Sequence, residues 1–242
     1  MSKNPSSPLS AAYWREAAGN LKNTRMLALA AFVIALRAVC KMLEIPLAPG
    51  LNINVAAFFN SIGAMVYGPV VGLVGAIVSD PLGYLLHPDG PYFLPFMLVD
   101  MSSSFLFGLF FWKRPLTVGR TLTAKFTVNM VSNVALTSVI MKWYYLVFYG
   151  VEKAEAYNLI NLTRIVKNLV MFPIEAILIA VVLGAAAPAL YSLRMLPEKP
   201  NLKLKPRHYV MVALLTLLAV GLVLFYVFFL KDFVKAHNIK LF

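Results

Sequence analysis

Seven apolar runs follow one another along this chain, at 26–43, 55–67, 70–86, 92–112, 122–148, 162–190 and 209–230. A bilayer core needs about 20 apolar residues per helix. Backbone polar groups within lipid must be satisfied inside their own segment, so helices are the fold that such runs permit. Composition agrees: 60% of residues are hydrophobic and 13% charged, against about 45–50% and 25% in soluble domains. Mean hydropathy is +0.76. The chain is an all-α integral membrane protein on this reading, with room in 242 residues for six or seven spans.

The second run is short, and "YGP" (67–69) is its only separator from the third. Two helices meeting there must double back as a hairpin. Gly72, Gly75, Ala76, Ser79 and Gly83 then line the third run with small residues that permit close backbone approach.

The net charge of +12 invites a nucleic-acid reading, which the distribution of cations opposes. They gather between the apolar runs: Lys3, Arg15, Lys22 and Arg25 before the first, Lys113, Arg114, Arg120 and Lys125 around the fourth-to-fifth connection, Arg194 to Arg207 after the sixth. Alternating spans put all three groups on one side, which the positive-inside rule makes cytoplasmic. The N-terminus is thus expected in the cytoplasm, as a tail with no signal-peptide pattern. Lys231, Lys235 and Lys240 follow the seventh run less neatly.

Cys40 is the single cysteine, so no intrachain disulfide is expected. The three histidines show no zinc spacing, and no cofactor is expected. GxxxxGK[ST] and HExxH are both missing, and no nucleophile sits beside a base. The chain is read as a non-enzyme.

Polar groups inside the runs mark the functional region, because an ionised side chain at the bilayer centre costs about 2.5–3.5 kcal/mol on insertion scales. With the orientation above, Arg37, Asp80, Asp100, Asn133, Arg164, Lys167 and Asn168 lie in or point toward the outer half. In "RIVKNLVMFPIEA" (164–176), Arg164, Asn168, Met171 and Glu175 share one helical stripe. Two readings stand: a static ion-pair network of Arg37, Asp80, Asp100, Arg164 and Glu175, or an outward-facing pocket for a polar solute. The concentration of polar groups on one side favours the pocket, as do the outer loops "APGLNINV" and "HPDGPYFLPF". Lys41 and Lys167 also have stems long enough to snorkel to the interface.

In this order, "YGPVVGLVGAIVSDPLGYLL", "HPDGPYFLPF" and "RIVKNLVMFPIEA" resemble the substrate-binding S components of energy-coupling factor (ECF) transporters, and among them the folate-type group. The resemblance covers about 25–192. It implies a six-helix bundle in a bacterial cell membrane, with a vitamin pocket under the outer loops closed by the loop after the first helix. It also implies docking to a transmembrane T component through AxxxA, here Ala31 and Ala35 in "AFVIA", and two ATPase partners that hydrolyse ATP. The expected division is a tail at 1–24, the binding domain at 25–192, a basic linker at 193–208 and an additional span and tail at 209–242. Asn54, Tyr92 and Phe93 from the outer loops join the expected site, with Phe58, Phe96 and Trp143 as further ring partners. Asp80 or Asp100 suits the amino-pyrimidinone edge of a pterin, and Arg164, Lys167 and Arg37 suit a glutamate tail. A deazaguanine such as a queuosine precursor shares that edge and remains the alternative.

Overall fold

The computed structural model describes residues 8–48, 51–88, 90–159 and 162–196, together with the helical positions 210, 214, 217 and 221. The rest of the seventh run and most of the basic linker lie outside the described residues. The order is α1 (Ala11–Gly19), α2 (Thr24–Cys40), β1 (Glu44–Ala48), β2 (Leu51–Asn54), α3 (Ala56–Leu86), α4 (Met97–Phe111), α5 (Val118–Thr127), α6 (Thr137–Tyr149), α7 (Val151–Ala156) and α8 (Leu162–Ser192). Among the described residues four helical stretches are long and apolar enough to cross a bilayer. The pair Ala11–Lys22 and Thr24–Cys40, bent by 78°, reaches that length only when its two helices are taken together.

The expected second and third spans are the two arms of α3. Gly68 breaks the helix at φ 83° and ψ −176°, a backbone state that a Cβ resists. Asn60, before the break, accepts a hydrogen bond from Ser104 Oγ at 2.9 Å. After it, a Cβ on Gly72 would lie 3.6 Å from the Ser104 Cβ. A straight helix separates residues 60 and 72 by about 18 Å, so the chain folds back at Gly68. The returning arm runs antiparallel to α4, with Pro69 against Gly108 and Gly72 against Ser104. It runs parallel to α2, with Gly75 against Ile34 and Gly83 against Lys41. Small residues at each crossing let these backbones meet.

Residues 118–149 form one 32-residue helix whose middle, Val128–Leu136, is π-helical. The extra residue per turn gathers Asn129, Ser132 and Asn133 on the inner side: Ser132 Oγ lies 2.5 Å from Ser102 Oγ, and Asn129 Nδ2 donates to the Asn168 carbonyl at 3.1 Å. Single π turns inside α-helices recur at functional sites. The main core joins Ala64, Met65, Phe107, Phe111, Val128, Ile179 and Leu183 across α3, α4, the π segment and α8.

Two elements depart from the expected loops and tail. "EIPLA" (44–48) and "LNIN" (51–54) pair as an antiparallel hairpin, with Ile45 opposite Ile53, and Ile53 anchors it to Val170 and Met171 of α8. Within the N-terminal tail, α1 is capped by Ser10, whose side chain accepts from the Tyr13 amide. Tyr13 and Ala17 are fully buried.

Candidate functional site

Where α2, α3, the hairpin and the aromatic loop meet, a cavity of about 530 Å³ opens, within the usual range for small-molecule sites. Cys40 and Lys41 line it from the end of α2, Asn52 to Asn54 from the hairpin, and Asp80, Gly83 and Tyr84 from α3. Tyr92, Phe93 and Phe96 close one side, with Met141 and Tyr144 of α6 behind them. Phe93 stands edge-on to Trp143, Tyr144 and Phe148 at centroid distances of 5.4–5.8 Å, which fixes its ring against α6.

Asp80 is the carboxylate on this wall. Its Oδ1 accepts from Lys41 Nζ at 2.9 Å, and its Oδ2 from the Tyr92 hydroxyl at 3.2 Å. Each oxygen keeps a further lone pair, so the group can still take a two-donor ligand edge. Burial, and then the negative charge of Asp80, push the Tyr92 phenol up from its usual range. It stays protonated at neutral pH and acts as the donor. Gly83 leaves room for the Lys41 stem, which a Cβ there would displace.

Lys41 reaches back from the wall to Asp100 Oδ2 at 3.1 Å, and Arg37 lies 3.6 Å from the same oxygen. Both are ion pairs without an aligned hydrogen bond to that oxygen. Arg37 also donates to Ser104 Oγ at 3.3 Å, which donates to Asn60. A partly buried neutral set results: two cations, two carboxylates, with Lys41 and Asp80 facing the cavity and Arg37 and Asp100 held behind them.

Of the residues expected from sequence, Asn54, Asp80, Tyr92 and Phe93 line this cavity, and Arg37 and Asp100 adjoin it through Lys41. Asn133 instead donates to Asn129 at 3.3 Å, and Asn168 to the Arg164 carbonyl at 2.9 Å. Arg164 and Lys167 are half-buried on the first turns of α8 and are not among the described lining of the cavity. Phe96 lines it too, whereas Phe58 packs into the core and Trp143 is half exposed.

Glu175 does not join the outer charges. It pairs with Lys125 of α5 at 2.9 Å, in the interior of the bundle. Eleven residues return Glu175 to the angular position of Arg164 but carry it about 16 Å along the axis; the face was legible and the depth was not. Lys41, Tyr84 and Tyr144 were missed as lining residues. The signal for two of them was present, since Lys41 is four residues beyond Arg37 and Tyr84 four beyond Asp80, each on its neighbour's helical face.

With this geometry in place, comparison with known proteins is informative. The family model of the ECF-type riboflavin transporter S component matches residues 21–188. A protein of Clostridium novyi (strain NT) named folate transporter FolT is 29% identical over 160 residues, covering 66% of this chain and 88% of that protein. Its namesake from Leuconostoc mesenteroides is 27% identical over 154 residues, covering 63% and 81%. The crystal structure of FolT bound with folic acid superposes with a TM-score of 0.53 at 27% identity, covering 66% of this chain and 91% of that one. Ala31 and Ala35 lie on the exposed face of α2, opposite the buried Val33, Arg37 and Ala38.

Proposed function

The chain belongs to the ECF-type riboflavin transporter S-component family, and from that premise we propose that it captures folate or a related pterin from outside the cell. It is a multi-pass membrane subunit that binds a small molecule. ATP hydrolysis falls to two ATPase subunits joined to it by a transmembrane T component, which docks on Ala31 and Ala35. In this reading the N-terminus and the cation-rich connections face the cytoplasm, and the 530 Å³ cavity faces outward.

The observation that carries the proposal is Asp80 on an aromatic wall. A pterin offers a 2-amino group and an adjacent ring N–H, two donors that one carboxylate accepts together. The isoalloxazine of riboflavin offers a single imide N–H between two carbonyls, whose oxygens would face the carboxylate repulsively. The names of the relatives point the same way. Phe93 and Phe96 then flank the flat ring, and Tyr92 holds Asp80 in place. Lys41 bridges Asp80 and Asp100, so it can turn toward a ligand carboxylate while Arg37 keeps Asp100 compensated. Arg164 and Lys167 at the head of α8 meet the far end of the glutamate tail, and Asn54, Asn133 and Asn168 complete the polar surroundings.

The neutrality of the four-charge set favours one second reading, an uncharged deazaguanine such as a queuosine precursor, which presents the same two-donor edge. Binding to the purified protein in detergent separates these readings. Folate is expected to bind, and Asp80→Asn to weaken it about 10- to 100-fold, since hydrogen bonds to a charged acceptor contribute about 1.5–3 kcal/mol. Unchanged folate affinity in Asp80→Asn overturns the assignment of the edge. Tight deazaguanine binding without folate binding moves the chain to the second reading.

A further inference from the structure

Three asparagines tie the π segment to the head of α8. Asn133 Nδ2 donates to Asn129 Oδ1 at 3.3 Å, and Asn129 Nδ2 donates to the Asn168 carbonyl at 3.1 Å. Asn168 Nδ2 in turn donates to the Arg164 carbonyl at 2.9 Å. The relay starts from a fixed support, because Ser132 Oγ lies 2.5 Å from Ser102 Oγ of α4 and both Asn129 and Ser132 are fully buried. It ends on the backbone of the first turns of α8, which carry Arg164 and Lys167.

Those turns need support from outside their own helix. Pro173 lies within α8 and offers no N–H to the Leu169 carbonyl four residues earlier, so one helix bond is missing between the first two turns and the rest. Neighbouring elements supply the support. Asn129 reaches the Asn168 carbonyl, and Ile53 of the hairpin packs on Val170 and Met171. Ile53 also lines the cavity, so this stretch of α8 backs the cavity wall.

Both ends of the Asn129 carboxamide are engaged within the protein, and Asn129 is not among the described lining of the cavity. An asparagine held in this way acts on a ligand through the groups it holds. Its removal would take the acceptor from the Asn133 amide and a donor from the Asn168 carbonyl, and buried polar groups do not lose partners without rearrangement. We propose that Asn129 is a positioning residue for the negatively charged tail of the ligand: it fixes the first turns of α8 so that Arg164 and Lys167 are presented to that tail. The role rests on the folate reading, in which those cations meet the glutamate.

Folate and pteroate, which lacks the glutamate, separate positioning from general structure when both are titrated against the full chain purified in detergent. Asn129→Leu is expected to weaken folate about tenfold, within the coupling range of residues that share one hydrogen-bond network, and to leave pteroate unchanged. In an Arg164→Ala/Lys167→Ala background the same substitution should add no further loss, because the groups it positions are gone. Asn129→Ala, with its smaller side chain, repeats the test and should give the same split between the two ligands. Equal weakening of folate and pteroate by both variants overturns the proposal, since it marks a residue that the whole bundle needs. Folate affinity unchanged in both overturns it as well. An Arg164→Ala/Lys167→Ala protein that keeps the full preference for folate over pteroate instead overturns the reading of the tail, and the role of Asn129 with it.

Discussion

Lys125 and Glu175 form an ion pair at 2.9 Å with side chains only 2% and 8% exposed, joining α5 to α8 inside the apolar core. Removing two charges from water is costly, and their attraction offsets that cost only while both are present. Glu175→Ala is therefore expected to destabilise the protein by about 3–5 kcal/mol, because it strands a buried ammonium. The double variant Lys125→Met/Glu175→Leu should recover most of the loss. Thermal unfolding in detergent measures both, and a double variant as unstable as the single one would refute the pairing account. Vitamin affinity of the double variant should stay near that of the unaltered protein, since neither residue lines the cavity.

The closest backbone crossing predicts a different kind of failure. A Cβ on Gly108 would stand 2.5 Å from the Pro69 Cα, a backbone atom that cannot rotate away. A Cβ on Gly68 would meet the Trp112 ring at 2.7 Å and would also occupy a positive φ. Both Gly108→Ala and Gly68→Ala are expected to cost about 1–3 kcal/mol from overpacking, with a further cost of about 1–3 kcal/mol at Gly68 from a positive-φ extended backbone that is essentially reserved for glycine. Gly119→Ala, where nothing lies within 4 Å, is the matched control and should be near neutral. Unfolding temperatures that rank Gly119→Ala with the other two would contradict this packing.

How much of this was legible beforehand depends on which quantity each feature encodes. Hydropathy encodes length in lipid, so the apolar runs that form α3, α4, residues 118–149 and α8, and the reversal at "YGP", could be read directly. Helical angle encodes the face a residue occupies, and the stripe of Arg164, Asn168, Met171 and Glu175 followed from it, whereas Tyr84 beside Asp80 carried the same signal and was missed. Angle carries no depth, which is why Glu175 was grouped with Arg164 while its partner Lys125 had been counted among the connection cations. The hairpin of Ile45 and Ile53 was hidden because its stabilising contacts, Val170 and Met171, are more than a hundred residues away in sequence. The case of α1 is similar: its buried face is two residues, Tyr13 and Ala17, which pack with Trp112 about a hundred residues further along the chain. The π segment at Val128–Leu136 escapes any 3.6-residue template by construction.

The last prediction concerns the outer face of α2. Ala31 and Ala35 are exposed there beside Phe32 at 61% and Val39 at 51%, while the residues that serve the cavity and core point the other way. A face of two alanines one turn apart admits another helix closely, and a larger side chain at either position holds it off. In the proposed complex, Ala31→Trp/Ala35→Trp should therefore weaken co-purification with the T component and ATPases by about tenfold, the scale of a 1–3 kcal/mol overpacking cost. It should leave vitamin affinity of the isolated subunit unchanged, because neither residue lines the cavity. Phe32→Ala on the same exposed face, which removes bulk without blocking approach, should keep the complex. A tryptophan pair that co-purifies as fully as the unaltered chain would place the docking surface elsewhere, and a matching loss of vitamin binding would show that the substitution disturbs the bundle itself.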